Sequence, residues 1–291
     1  MSLLLPGKLP GSPPDSLFFK YMTKKNGCAC FPALFVLYYK QKSQKKELKG
    51  RINMTELEQL QKWINESDNI VFFGGAGVST ESNIPDFRSV DGLYNQEYDY
   101  PPETILSHHF FMQNTEEFYR FYRNKMIFKD AQPNKAHLAL ANLEKAGKLK
   151  AVITQNIDGL HQKAGSREVL ELHGSVLRNN CMSCGAFHGL DEILSQNGVP
   201  ACRCGGILKP DVVLYEEGLD SYVLEKAVSY IKNADVLIVG GTSLAVYPAA
   251  GLIDYYQGNK LILINKGQTS RNAHADLEIN APIGETLRYW A

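Results

Sequence analysis

The sequence carries no net charge, since 31 Lys and Arg balance 31 Asp and Glu. It therefore has no global basic field to gather nucleic acid, and a specific nucleic-acid partner is not expected. Long hydrophobic runs are missing too. The greasy run Phe31 to Tyr39 spans nine residues, includes Pro32, and reaches about half of the roughly 20 apolar residues that cross a bilayer. Lys24 and Lys25 precede it, but no small-residue cleavage site follows; Lys40, Lys42, Lys45 and Lys46 do, which argues against a secretory signal. Cysteine is scarce and clustered: the six, at 28, 30, 181, 184, 202 and 204, are too few for a disulfide scaffold. Reduced thiols and a cytoplasmic location are the expectation. No internal repeat or low-complexity tract is present.

What is there suits an enzyme-sized globule. The 291 residues, 44% hydrophobic and 21% charged, allow one large α/β domain, or a large domain carrying a small one. Residues 1–53 differ in composition, with ten Lys or Arg against two acids and four prolines before residue 15. That stretch reads as an appendage, either a disordered tail or sequence upstream of a true start at Met54. Thr55-Glu-Leu-Glu58 is a capping-box pattern, and Leu57, Leu60 and Ile64 continue it at helical spacing, so a helix is predicted to open the domain. Strand-type runs follow at Ile70 to Phe73, Ala151 to Thr154, Val169 to Leu172, Val236 to Val239 and Leu261 to Ile264. Helical patterns lie between several of them, including Ala136 to Ala146 closed by Gly147, and Pro248 to Tyr256 ahead of Gly258. Fully apolar strands alternating with helices predict a Rossmann-like, doubly wound parallel sheet in an α/β fold.

Polar residues gather directly after those strands: Gly74-Gly-Ala-Gly-Val-Ser79, Gln155-Asn-Ile-Asp158, His173-Gly-Ser175, Gly240-Gly-Thr-Ser243 and Asn265. In an open parallel sheet, ligands bind beyond the carboxyl ends of the strands, so five clusters are predicted to converge on one edge as a nucleotide site. Gly75-Ala-Gly77 would let backbone amides approach a diphosphate. Alone that motif is weak, and a tight strand-to-helix turn without ligand is the lesser alternative. The third glycine of a full dinucleotide fingerprint is replaced by Thr80, and no strand leads to the acids Asp91 or Glu97.

Cys181-x-x-Cys184 and Cys202-x-Cys204, seventeen residues apart, suit a tetrahedral structural zinc. Four thiolates leave no open position for water, so this zinc is predicted to hold a smaller zinc-binding domain together rather than do chemistry.

In combination, these residues resemble the sirtuin family over roughly 54–291. The resemblance rests on Gly75-Ala-Gly-Val-Ser79, Ile84-Pro-Asp-Phe-Arg88, Thr154-Gln-Asn-Ile-Asp-Gly-Leu-His161, Leu172-His-Gly-Ser175, the cysteine pairs, Lys209-Pro-Asp-Val-Val213 and Gly241-Thr-Ser243. It implies a Rossmann-like NAD-binding domain of 54–97, 137–178 and 208–291. It also implies a small domain made of a helical insertion, 98–136, and a zinc module, 179–207. The implied activity is NAD-dependent removal of acyl groups, acetyl first, from lysines of proteins or peptides, giving free lysine, nicotinamide and O-acyl-ADP-ribose. By position, Gly75, Ala76, Gly77, Thr80, Asp86, Phe87, Arg88, Gln155, Gly241, Thr242, Ser243, Asn265, Lys266 and Ile283 are implied NAD contacts. Asn156, Ile157 and Asp158 are implied to receive the nicotinamide end, and His173 to act as general base. A histidine suits that role because its ordinary pKa of about 6.5 leaves it neutral yet basic near pH 7. His161 reads as structural.

Two departures from the family pattern bear on the acyl group. Tyr215-Glu-Glu217 stands where Phe-Gly-Glu is usual, with Glu216 at the glycine, in a segment that normally pairs with the substrate backbone. Val213 and Phe87 are implied to line the acyl tunnel. The Tyr-x-x-Arg pair of succinyl-preferring relatives corresponds to Tyr119 and Tyr122, with Arg123 one place late, so acetyl or an uncharged acyl is expected over succinyl. Mono-ADP-ribosyl transfer, hydride transfer and a zinc-held binding module remain as rival readings.

Overall fold

The structure is a computed structural model that describes residues 54–87, 100–267 and 275–291. The appendage, Cys28, Cys30, Arg88, Asp91 and Glu97 lie outside the described residues. Helix α1 (Met54–Glu66) buries Leu57, Leu60 and Ile64, the predicted stripe. It already includes Met54, so it starts ahead of the boundary that the capping-box pattern predicts at Thr55.

Six parallel strands form the main sheet: β1 (Ile70–Gly74), β2 (Leu149–Thr154), β3 (Val169–Glu171), β7 (Val236–Gly240), β8 (Leu261–Ile264) and β9 (Leu277–Ile279). Their order, β3-β2-β1-β7-β8-β9, is that of a doubly wound dinucleotide fold. Winding reverses between β1 and β7, the point at which such a fold places its ligand crevice. Alternate side chains of each strand serve opposite faces. Ile70, Phe72, Ile238, Ile262 and Ile264 pack against α1 and α5 (Lys135–Lys145), whereas Val71, Phe73, Leu237, Val239 and Leu263 pack against α8 (Ser221–Asn233) and the 3-10 helix Ala249–Tyr255. Each such burial contributes roughly 1.5–3 kcal/mol, which explains why the strand runs lack polar alternation.

Between β3 and β7 the chain departs into a second, three-stranded antiparallel sheet ordered β5-β4-β6: β4 (Gly174–Cys181), β5 (Phe187–Gly189) and β6 (Leu208–Val212). Helix α7 (Leu190–Ser195) follows β5. A separate insertion carries α2 (Pro102–Ile105), α3 (His108–Gln113) and α4 (Thr115–Lys125). Phe110, Phe111, Phe118, Tyr119, Phe121 and Tyr122 of these helices form a second core with Val176, Leu208, Val212 and Leu214. The remaining α-helices among the described residues are α6 (Leu160–Ala164) and α9 (Ile283–Leu287). No helix among the described residues is long and apolar enough to cross a membrane.

The five predicted strands all form. β9 is additional, only three residues long, and too short to show a pattern. The stretch predicted as a helix at Pro248 to Tyr256 is a 3-10 helix over Ala249–Tyr255 instead, with the poor helix former Gly251 inside it.

Candidate active site

The loops after β1 and β7 meet back to back across the reversal of winding. Gly77 N donates to Gly241 O at 2.7 Å, and a Cβ placed on Gly77 would sit 2.8 Å from the Gly241 backbone. Gly241 has φ +60°, so both positions demand glycine, one for approach and one for conformation.

From this contact a hydrogen-bonded chain runs across five strand ends. Gln155, just past β2, gives its main-chain N–H to Gly74 O and its side-chain amide to Thr242 Oγ1, at 3.0 and 3.1 Å. Thr242 N donates to Asn265 Oδ1, past β8, at 3.0 Å. His173, past β3, lies 3.0 Å through Nδ1 from the Gln155 carbonyl. That oxygen can only accept, so Nδ1 carries the proton and Nε2 is left as the basic nitrogen. Burial lowers the His173 pKa below its usual value, while the bond to Gln155 acts the other way.

A second polar group stands alongside. Ser79 Oγ donates to Asp158 Oδ2 at 2.6 Å and accepts from Asn156 Nδ2 at 3.0 Å, and Leu160 N donates to Asp158 Oδ1 at 2.9 Å. Burial raises the Asp158 pKa, and the Ser79 and Leu160 bonds oppose it. Ser79 lay within a quoted motif, yet nothing in its sequence position assigned it this bridging role. Asn134 was likewise missed, although an asparagine ahead of a helical run is a cap signal. Its Nδ2 holds Val78 O and Ser82 Oγ at 2.8 and 3.0 Å, fixing the loop after β1.

Gly75, Ala76, Gly77, Thr80, Gln155, Asn156, Ile157, Asp158, His173, Gly241, Thr242, Ser243 and Asn265 thus all sit on the segments that leave the carboxyl edge of the sheet. Ile283 is buried at the start of α9, which Gly284 N ties to Glu81 Oε1 at 2.9 Å. Phe87 packs on the second core, Asp86 is half-buried beside it in sequence, and Lys266 is exposed. Asn265 Nδ2 is buried with no partner among the described residues, a donor facing no protein acceptor at the crevice. With the glycine contact that admits no side chain, this suits a polar nucleotide.

The four cysteines form one cluster, their sulfur atoms all within 4.8 Å of one another. The Cys181–Cys204 and Cys184–Cys202 pairs stand at 3.4 and 3.8 Å. Tetrahedral zinc with bonds of about 2.3 Å would space its sulfurs about 3.8 Å apart, so the set can hold one zinc ion. The N–H of Cys184, then that of Ser183, lower the Cys181 thiol from 9.0 to about 6, favouring the thiolate a metal requires.

Near the second core, Tyr119 donates its hydroxyl to the Leu208 carbonyl. Tyr122 OH is buried without a partner among the described residues. Arg123 donates to the carbonyls of Gly198, at 2.6 Å, and Ile193, at 3.2 Å. His161 lies against His137 with ring centroids 4.7 Å apart and planes tilted by 59°, and both are buried.

A dinucleotide-type sheet with a polar crevice at its reversal point, joined to a four-thiolate module, defines a nucleotide-using α/β protein with a structural metal. Comparison then narrows the class: a model of the Sir2 family, the sirtuins, matches residues 75–248, and the chain belongs to that family. A NAD-dependent protein deacetylase of Clostridium acetobutylicum is 60% identical over 238 residues, covering 80% of this chain and 97% of the relative. One from Staphylococcus aureus is 41% identical, covering 77% and 93%. Among solved structures, a complex described as Sir2-p53 peptide-NAD+ superimposes with TM-score 0.71 at 39% identity, covering 80% of this chain and 96% of the other. A Sir2 homolog–NAD complex gives 0.73 at 41%, covering 80% and 91%.

Proposed function

We propose that this protein is a NAD-dependent protein lysine deacetylase, with acetyl-lysine peptides or proteins as substrates. The observation that carries the reading is the bonded chain His173–Gln155–Thr242–Asn265, which gathers a basic nitrogen and nucleotide-type donors on one sheet edge. The relatives' names as NAD-dependent deacetylases and the peptide–NAD complex of a similar fold support it.

Gly75, Ala76, Gly77, Thr80, Asp86, Phe87, Arg88, Gln155, Gly241, Thr242, Ser243, Asn265, Lys266 and Ile283 hold NAD in this reading. When bound, NAD supplies the ADP-ribosyl acceptor for the acyl group, with nicotinamide as leaving group. His173 keeps its own proton on Nδ1 and takes a hydroxyl proton on Nε2. Asn156 and Asp158, locked through Ser79, and Ile157 beside them orient the nicotinamide end and exclude water that would divert the reaction to hydrolysis. Cys181, Cys184, Cys202 and Cys204 hold zinc, which builds the small domain and takes no part in the chemistry.

The two lobes are assigned as 54–97, 137–178 and 208–291 against 98–136 and 179–207. The second core built by α2, α3 and α4 supports a small lobe, and Val176, Leu208, Val212 and Leu214 of the assigned large lobe pack into it. Reduced thiols and bacterial relatives support a cytoplasmic location.

Incubation with an acetyl-lysine peptide, with and without NAD, tests the reading. It is expected to yield nicotinamide, deacetylated peptide and O-acetyl-ADP-ribose only with NAD. ADP-ribosylated protein, or reduced NAD without free nicotinamide, would overturn it.

A further inference from the structure

Glu216 holds a backbone conformation that L side chains rarely adopt, φ +76°. It lies in the strap 213–217 that follows β6, whose first residue donates from Val213 N to the carbonyl of His173 at 3.0 Å. The strap's other end is stitched to the helical insertion. Tyr215 N donates to Leu106 O at 2.9 Å, and His108 N donates to Tyr215 O at 3.0 Å.

A helix leaves its first N–H groups without partners inside itself. In α3 they are shared between its cap and the strap. His108 N goes to Tyr215 O, Phe110 N to Ser107 Oγ, and His109 N to the carboxylate Oε2 of Glu216 at 3.0 Å. The neighbouring Glu217 carboxylate braces the same joint: Oε1 meets His108 Nδ1 at 2.8 Å, while Oε2 accepts from Leu214 N and Lys209 Nζ. Glu216 is exposed, so neither burial nor packing explains a glutamate in a left-handed conformation. The turn Leu214–Glu217, closed by Glu217 N donating to Leu214 O at 3.0 Å, sets that backbone, and the bond to His109 gives the side chain its place.

We propose that Glu216 is a positioning residue that clamps the helical insertion to the strap beside His173, and so sets the opening through which the acyl-lysine segment reaches the imidazole. This rests on the deacetylase reading for its functional consequence; the clamp itself does not.

Two variants of the full chain test it. Glu216→Asn keeps a side chain that tolerates the left-handed conformation but is one methylene too short to reach His109. Glu216→Gln keeps both reach and an acceptor oxygen. Loss of one hydrogen bond to a charged acceptor predicts that Glu216→Asn raises KM for an acetyl-lysine peptide about tenfold. Its kcat and its KM for NAD are expected to stay near those of the unsubstituted chain, the His109 amide to exchange with solvent about tenfold faster, and Glu216→Gln to recover most of both. An unchanged His109 exchange rate would overturn the clamp. Faster exchange with an unaltered peptide KM would overturn its role in substrate entry. An unsubstituted chain with no NAD-dependent turnover would overturn the deacetylase reading and the entry role together, while the exchange measurement still judged the clamp.

Discussion

His173 and the main-chain oxygen of Gln155 are joined at 3.0 Å, and this single bond fixes which imidazole nitrogen can work as a base. His173→Ala is expected to lower deacetylation by roughly a hundred- to ten-thousandfold, the range for a positioned acid–base group. NAD binding, measured by calorimetry, should survive. Full turnover in that variant would remove His173 from the mechanism.

Because burial holds the His173 pKa below 6.5, the neutral base persists into mild acid. Activity is lost only as pH falls through that depressed value. The acid limb of kcat/KM for the peptide should therefore have its midpoint below 6.5. A midpoint above 6.5 would contradict the burial argument.

Ser79→Ala breaks the link between Asn156 and Asp158 and removes a donor from a largely buried carboxylate. The expected cost is about 1–3 kcal/mol of stability, with the Asp158 pKa raised further. Peptide turnover should drop at saturating peptide and NAD. Equal melting temperature and equal kcat would show that the bridge is dispensable.

His137 and His161 predict a specific acid sensitivity. Burial pushes His137 down to about 4, and burial followed by the neighbouring His137 pushes His161 well below its usual value. Unfolded histidines take up protons near 6.5, which the folded chain cannot do, so stability falls as pH drops from 6.5 towards 4. His137 alone accounts for about 3 kcal/mol of that decline. His161→Phe, beside Phe72, should flatten the melting temperature against pH over this interval. An identical slope would count against the pair.

The Arg123 guanidinium is engaged by the carbonyls of Gly198 and Ile193 and lies over the Tyr119 ring, 5.1 Å from its centroid, so it is already occupied. Acetyl peptides should therefore turn over faster than succinyl peptides by tenfold or more, the scale of an unmade charged hydrogen bond. Comparable rates would show that the arginine swings free to grip a carboxylate.

Much of this architecture was legible because the strands are buried on both faces. Runs such as Ile70 to Phe73 and Val236 to Val239 carry no polar residue, and the chemistry follows them at once. The second sheet was not legible. β6 contains Pro210, which disfavours a central-strand reading, and the β4–β6 register shifts between Ser175 and Asn179, so neither strand shows clean alternation. Gly174 illustrates the gap: its φ of +74° and the Asp211 oxygen pressed where a Cβ would stand make it obligatory, which only the paired strand reveals. Ser79, Asn134 and Glu216 act across 79, 56 and 107 positions of sequence separation, beyond the reach of any local pattern.

Strand β4 begins at the residue after His173 and ends on Cys181, so one extended run of eight residues separates the imidazole from the thiolates. Such a run covers on the order of 20 Å, about two screening lengths in physiological salt. The metal's charge is thus too remote to tune the base. Exchanging zinc for another tetrahedral divalent ion should leave the acid limb of the rate profile where it was, whereas stripping the metal with a chelator should melt the small lobe and reach His173 through the slackened strand. The coupling is that of a tent pole, mechanical and without electrical reach.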